Sequence, residues 1–272
     1  MLDAAADLVR LAAAAARLTR HDALIPAEFA HHLPAPARWI GAATRIGAKT
    51  RAADGRRLRP GERLASAFEK MSPAYVKLGQ FMATRPDIIG FDAARDLGRL
   101  QDRMPPFPRA EAAAEIERAF GKPLDQLFTE FSEPIAAASI AQVHRATMRD
   151  GRKVAVKVLR PRIEPQVTAE FRAFSRAAGF MQGLSATTRR MEPVKFVETL
   201  KAAAAVELDL RMEASAASAL KEDLKETPGV RVPEIIWALT ARRVLPRRGA
   251  RVPRPDRRRS WPSPGRPCRW AP

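Results

Sequence analysis

The sequence predicts an α+β protein, with an antiparallel sheet of about five strands accompanied by helices and preceded by a helical extension. Three observations predict it. Up to about Lys122 the apolar residues recur at three- and four-residue spacing, the period of helices. After Phe128 the texture becomes β-type, with Arg149-Asp150-Gly151 as a hairpin signal between two apolar runs. Helical spacing then returns, and a last β-type stretch closes near Leu245. The order is helices, three strands, helices, two strands.

Taken in order, Met1–Arg20 reads as an amphipathic helix, because Asp3 and Asp7 sit where a secretory signal would be basic. Arg51–Pro60 is polar and basic and reads as a linker. Leu64, Phe68 and Met71, then Tyr75, Leu78 and Met82, mark two helices, with Ser72-Pro73 placed to cap and start the second. Phe91–Leu100 and Pro108–Phe120 are two more, separated by the breaker Met104–Pro108. Ile140, Val143 and Val154–Leu159 supply strands. Helices are expected from Ile163 to about Ser185 and from Glu192 to about Lys225. The second carries Val197, Leu200, Ala204 and Leu208 on one face and is ended by Pro228-Gly229. Val230–Trp237 and Thr240–Leu245 complete the strands. The divisions that follow are a helical arm and linker over 1–58, a helical extension over 59–127, a strand-bearing lobe over 128–245, and an Arg/Pro-rich tail over 246–272.

Composition excludes several classes. With 272 residues, 46% hydrophobic and 29% charged, the chain is long enough for one large domain or two small ones. A single cysteine, Cys268, excludes an internal disulfide framework and fits a reducing compartment. The longest stretch without a charged side chain, Ala177–Thr188, has 12 residues, too few to span a bilayer. The reading is a soluble or peripheral protein. The net charge of +18 invites a nucleic-acid interpretation, but it is unevenly distributed. Pro246–Pro272 holds nine arginines, seven prolines and one acid, Asp256, and no apolar periodicity. Such a segment cannot bury enough surface to offset its ordering entropy, so it reads as a disordered basic tail. Its only aromatics are Trp261 and Trp270, with no module around them. Salt-sensitive retention without sequence preference is expected, and no specific nucleic-acid partner.

Four segments bear chemistry. In Val154-Ala155-Val156-Lys157 a lysine lies in a buried strand, where desolvation is costly unless an anion meets it. Such a strand lysine holds nucleotide phosphates in kinases, although this run alone also suits a lysine pointing to solvent. Ala136-Ala137-Ala138-Ser139 stands about 20 residues before Lys157, where a kinase has its glycine-rich phosphate loop. Alanines make a more restricted loop, since they reach positive φ only at a steric cost. In Lys77-Leu78-Gly79-Gln80 the lysine and the glutamine share one helical face, as they also would on any amphipathic helix. Lastly come Glu207, Asp209 and Glu213. On a regular helix Glu207 and Asp209 are about 200° apart and cannot address one ion without local distortion. Glu207 and Glu213 are about 120° apart, so either could face Lys157 but not both equally, and solvated acids on a charged helix fit the same run.

The order of these segments is more specific than any of them. KLGQ, AAAS, VAVK, then ELD with RMEA, from about Arg59 to about Val244, resembles the UbiB (AarF) family of atypical kinase-like proteins. The intervening Leu100-Gln101-Asp102-Arg103 belongs to the same resemblance. It implies a kinase-like small lobe over 128–245 and ATP or ADP with Mg²⁺ as cofactor. It assigns Lys77 and Gln80 to a helix that gates the nucleotide pocket and keeps protein substrates out. It assigns Ala136, Ala137, Ala138 and Ser139 to an alanine-rich loop that tunes nucleotide preference. Lys157 becomes the phosphate-holding lysine, Glu213 its helix partner, and Glu207 with Asp209 an element facing Lys77 and the active site. It further implies ATPase activity in support of ubiquinone biosynthesis. The partners would be proteins or lipid precursors of that pathway, in the bacterial cytoplasm or at the inner-membrane face.

A large lobe with a catalytic-loop aspartate and asparagine and a metal-binding aspartate should follow Leu245, and these residues do not appear in this sequence. The large lobe is therefore expected to be absent from this chain, and an out-of-frame reading near codons 244–246 would account for the change of texture. The other frames would then encode the missing residues and two apolar spans. Weak ATP affinity and phosphoryl transfer lowered by several orders of magnitude are expected of the chain by itself, because positioning and electrostatics make up nearly all of that catalysis. The alternative is a scaffold without enzyme activity.

Overall fold

The computed structural model describes residues 2–23, 50–52, 54–100, 105–184, 186–190, 192–227 and 230–249. Gln101–Met104, Pro228-Gly229, Trp261, Cys268 and Trp270, singled out above, lie outside the described residues, as does 250–272 as a whole.

Helix α1 spans Leu2–Thr19. Helices α2 (Pro60–Glu69) and α3 (Pro73–Ala83) follow, then the short α4 (Pro86–Ile89) and α5 (Phe91–Leu97). Helix α6 runs Arg109–Phe120 and α7 Leu124–Leu127. Strands β1 (Phe128–Ala137), β2 (Ala141–Met148) and β3 (Lys153–Leu159) come next. They are followed by α8 (Ile163–Leu184), α9 (Ala186–Arg190), α10 (Pro193–Glu207) and α11 (Leu210–Asp223). Strand β4 (Glu234–Ile235), a 3₁₀ turn (Trp237–Leu239) and β5 (Val244–Arg248) close the described chain. The five strands form one sheet in the order β1-β2-β3-β5-β4, antiparallel at every step. The β2–β3 turn passes through Gly151 at φ +81°, a conformation glycine adopts without a Cβ clash.

Strand alternation decides what lies on each side. Val154, Val156 and Val158 are buried with Ala112, Ile116 and Leu127 of α6 and α7. Leu159, from the opposite face, is buried in a second cluster with Ile140, Leu245 and residues of α3, α8, α10 and α11. Lys157, two residues before Leu159, therefore projects to the side of α11.

Four sequence expectations need correction. The last strands are shorter and displaced from Val230–Trp237 and Thr240–Leu245, because a 3₁₀ turn intervenes. Strand β5 continues past Leu245 to Arg248, so three residues assigned to the tail belong to the sheet. Pro246 sits opposite Val156, and its carbonyl accepts a hydrogen bond from the Ile236 N–H at 3.1 Å. Missing only its own N–H, proline keeps its acceptor for the ladder, which proline-rich composition conceals. The helical run Glu192–Lys225 is two helices, not one. Ser72 does stand at the start of α3, but its hydroxyl donates to Glu170 Oε2 at 2.6 Å instead of capping the helix.

Helix α1 is fastened to α8 by charge. Asp7, fully buried, accepts hydrogen bonds from Arg172 Nε and Arg176 Nε, both at 2.8 Å. These guanidiniums, Arg172 foremost, hold its carboxyl below the usual range.

Candidate functional site

Lys157 stands in the middle of the sheet, opposite Val143 of β2 and Leu245 of β5. Its Nζ donates to Glu213 Oε2 at 2.6 Å, and both side chains are partly exposed. Glu213 is in the first turn of α11, so the strand lysine and helix carboxylate meet across the interface of α11 with the sheet. The other carboxylate oxygen accepts from Arg247 at 3.2 Å. Glu213 is thus shared by two cations, of which Arg247 belongs to the part of β5 that sequence reasoning placed in the tail.

Glu207 is turned elsewhere. It ends α10 and pairs with Lys77 of α3, Nζ to Oε2 at 2.7 Å. The pair borders a small cavity lined also by Ile140, the residue leading into β2. One side of the Lys77–Glu207 contact therefore adjoins the β1–β2 turn. Gln80, on the same helix, is partly exposed, and its amide makes no hydrogen bond among the described residues.

The helix breaks between the two glutamates. The Leu208 N–H still bonds to Ala204, but Asp209 is extended, at φ −125° and ψ 97°. Leu210 then donates to the Arg242 carbonyl at 2.9 Å, and α11 starts in a new direction. Asp209 caps α11 by accepting from the Arg211 N–H at 3.1 Å. The Arg211 guanidinium also pairs with it and holds its carboxyl below the usual range. Glu207 and Asp209 are each matched by a cation and do not converge on one point.

The alanine segment is tighter than a phosphate loop. Ala136 and Ala137 lie in β1, opposite Val143 and Gln142, and the Ala138 N–H bonds to the Ala141 carbonyl at 2.7 Å. Ser139 is fully buried and does not present its hydroxyl at the surface. Ala138 and Ser139 turn the chain from the end of β1 into β2.

Gly79 has a packing role that spacing did not explain. A Cβ there would lie 2.3 Å from Leu100 Cδ1 and 2.6 Å from Phe68 Cδ2. The glycine of KLGQ lets α3 pack directly onto these side chains, which sets the helix that carries Lys77. No signal in one sequence separates this use of glycine from a bend.

The residues present fit a nucleotide in one respect: Lys157 is a strand cation beside a carboxylate, partly exposed and able to meet phosphate oxygens. They fit a Mg²⁺ site less well. Among the described residues no group of three or more His, Cys, Asp or Glu is arranged to hold a metal, and Glu207, Asp209 and Glu213 are already matched by cations.

Residues 99–247 match the ABC1 atypical kinase-like domain. The chain is 41% identical over 190 residues to the "Probable protein kinase UbiB" of Marinobacter nauticus, covering 70% of this chain and 35% of that protein. Its counterparts in Cellvibrio japonicus and Pseudomonas aeruginosa are each 37% identical, covering 70% and 68% of this chain and 34% and 35% of those proteins. The chain thus spans about a third of the length of the curated relatives it matches. A solved structure of the Mycobacterium tuberculosis protein Rv3197 with erythromycin is 28% identical with a TM-score of 0.46, covering 68% of this chain and 46% of that one.

Proposed function

The chain belongs to the ABC1 atypical kinase-like family, and from that premise we propose that it is the nucleotide-holding small lobe of a UbiB-type ATPase supporting ubiquinone biosynthesis. The single observation that carries this reading is the Lys157–Glu213 pair, joining the third strand of the sheet to a helix at 2.6 Å. Lys157 holds the phosphates of ATP or ADP, and Glu213 orients it. Lys77, Gln80 and Glu207 gate the nucleotide side, and the Ala136–Ser139 turn closes over it. Mg²⁺, carried by the nucleotide, would supply charge neutralisation at the phosphates. Pathway proteins or lipid precursors are the partners, at the cytoplasmic side or the inner-membrane face. Among the described residues no helix is long and apolar enough to cross a membrane.

By itself the 272-residue chain binds nucleotide weakly and turns it over poorly, because the groups that orient a nucleophile in kinases are not among its residues. A fluorescent ATP analogue titrated into the wild-type chain and into Lys157→Met tests both statements. Weak binding that disappears in the variant, without hydrolysis, supports them. Binding indifferent to Lys157 would remove the nucleotide reading and favour a scaffold, while Lys157-dependent hydrolysis would sink the claim of impairment.

A further inference from the structure

Ala155 is the centre of a ring of cations. Along β3 its neighbours on the same face are Lys153 and Lys157, two residues away on either side. Across the sheet it lies opposite Arg145 on β2 and opposite Arg247 on β5. Neighbouring strands are about 4.8 Å apart and alternate residues about 6.6 Å apart, so all four cations are rooted within about 7 Å of Ala155. Strand alternation and register place them on one face. Lys157 and Arg247 both reach Glu213, and Arg145, Lys153 and Ala155 line one cavity of about 540 Å³. The acids here are Glu213, shared by two of the cations, and Glu130, which accepts from the Thr147 hydroxyl and lines the same cavity. Four positive groups thus face two negative ones. Among the described residues Arg145 has no acidic partner, and Arg247 Nε is buried without a hydrogen-bond acceptor.

A face with surplus positive charge, unmatched donors and a small residue at its centre suits a ligand with several acceptor oxygens that can come close to the sheet. We propose that this face is a polyphosphate-binding surface, on which Arg145, Lys153 and Arg247 act with Lys157 and the purine of a nucleotide is dispensable. The inference rests on the reading that Lys157 holds phosphate, and extends it to three residues and to a ligand class. Guanidinium groups engage phosphate oxygens in pairs, which ammonium groups do only as point charges. The two arginines therefore set orientation across the strands and the two lysines add attraction along β3.

Calorimetric titration of the 272-residue chain with ATP, inorganic tripolyphosphate and adenosine, at low and at high salt, tests it. Tripolyphosphate is expected to bind within about threefold of ATP and to weaken with salt, with adenosine silent. Arg145→Ala and Lys153→Ala should each weaken both anions by about fivefold, the scale of one exposed charge contact. Their melting temperatures should stay at the wild-type value, since both side chains are exposed. Failure of tripolyphosphate to bind, or binding unchanged in both variants while Lys157→Met loses ATP, overturns the inference and leaves the nucleotide reading standing. If Lys157→Met binds ATP as wild type does, the nucleotide reading falls, and this inference with it.

Discussion

Glu207 and Glu213 answer to different lysines: Glu207 lies 2.7 Å from Lys77 and Glu213 lies 2.6 Å from Lys157. The break at Leu208-Asp209 makes this possible. A continuous helix would leave the two carboxylates about 120° apart on one rigid rod. Two helices allow each to be aimed separately, one at α3 and one at the sheet. Anything that straightens the break should disturb both pairs together.

Asp209→Ala removes the side chain that caps α11 and leaves the Arg211 guanidinium without its carboxylate. Loss of such a cap costs about 1 kcal/mol. The expected outcome is a lower urea midpoint together with weaker binding of a fluorescent ATP analogue, because Glu213 is in the first turn that the cap secures. A variant that loses stability but binds like wild type would separate the cap from the Lys157 pair.

Lys77→Ala should act on rates. The Lys77–Glu207 contact is partly exposed, and such pairs stabilise by about 0–1 kcal/mol, so the melting temperature should hardly move. If the pair gates the nucleotide side, stopped-flow traces should show faster association and faster release of the nucleotide analogue. Unchanged rates would leave the pair as a fastening between α3 and α10.

Gly79→Ala should destabilise. The added methyl meets Leu100 and Phe68 at distances that force a shift, and overpacking of this kind costs about 1–3 kcal/mol. Chemical denaturation of the variant measures it directly. A neutral result would mean that α3 moves away from Leu100 at little cost, and nucleotide exchange would then report whether Lys77 moves with it.

Acid should weaken the fold in two stages, first at the sheet and then at the start of α2. His144, fully buried, donates from Nδ1 to the Ser132 carbonyl at 2.8 Å and accepts at Nε2 from the Gln142 amide at 2.9 Å. A carbonyl only accepts, so the proton is on Nδ1 and the ring is neutral. Burial, opposed by the Ser132 bond, holds its pKa below the ordinary value of 6.5. The folded state thus binds fewer protons than the unfolded one. The stability that His144 contributes is complete above pH about 6.5 and is lost as pH falls toward its folded value. Protonation would also set Nε2–H against the Gln142 amide that holds the Phe107 backbone N–H at 3.0 Å. A second loss follows at lower pH. Glu62, held by Arg56 and by the Arg59 N–H, is lowered from 4.5 to about 2, and its contribution disappears as pH falls through that range. Urea midpoints measured from pH 8 to pH 5 should fall in wild type and fall less in His144→Asn; equal slopes would mean that His144 protonation does not drive the loss.

Asp7→Asn tests how the N-terminal helix is held. The carboxylate is the common partner of Arg172 and Arg176, and an amide offers one acceptor oxygen without charge. Limited proteolysis should cut near the end of α1 earlier in the variant than in wild type, with the rest of the chain retained.

Much of this was legible in the residues, for reasons specific to each element. Val154–Leu159 places a β-branched valine at every second position from Val154 to Val158 and is preceded by Asp150-Gly151, so its strand and hairpin could be read directly. Val197, Leu200, Ala204 and Leu208 are buried, as their common face required. The Lys157–Glu213 and Lys77–Glu207 pairs bring together residues that family resemblance had associated and helical spacing had left open. Arg247 was hidden because strand membership near Pro246 depends on a partner strand, and arginine and proline together read as tail. The use of Ser72 was hidden because its partner, Glu170, lies on another helix.

The sequence by itself determined the fold class, the family and the identity of the charged groups, since these follow from period, order and residue type, all of which are local. Only the tertiary structure decided which carboxylate meets which lysine, that β5 extends to Arg248, and that four cations surround Ala155. Those outcomes depend on register between strands and on one extended residue between two helices. Both are set by packing across the sheet, a long-range balance that periodicity along the chain does not encode.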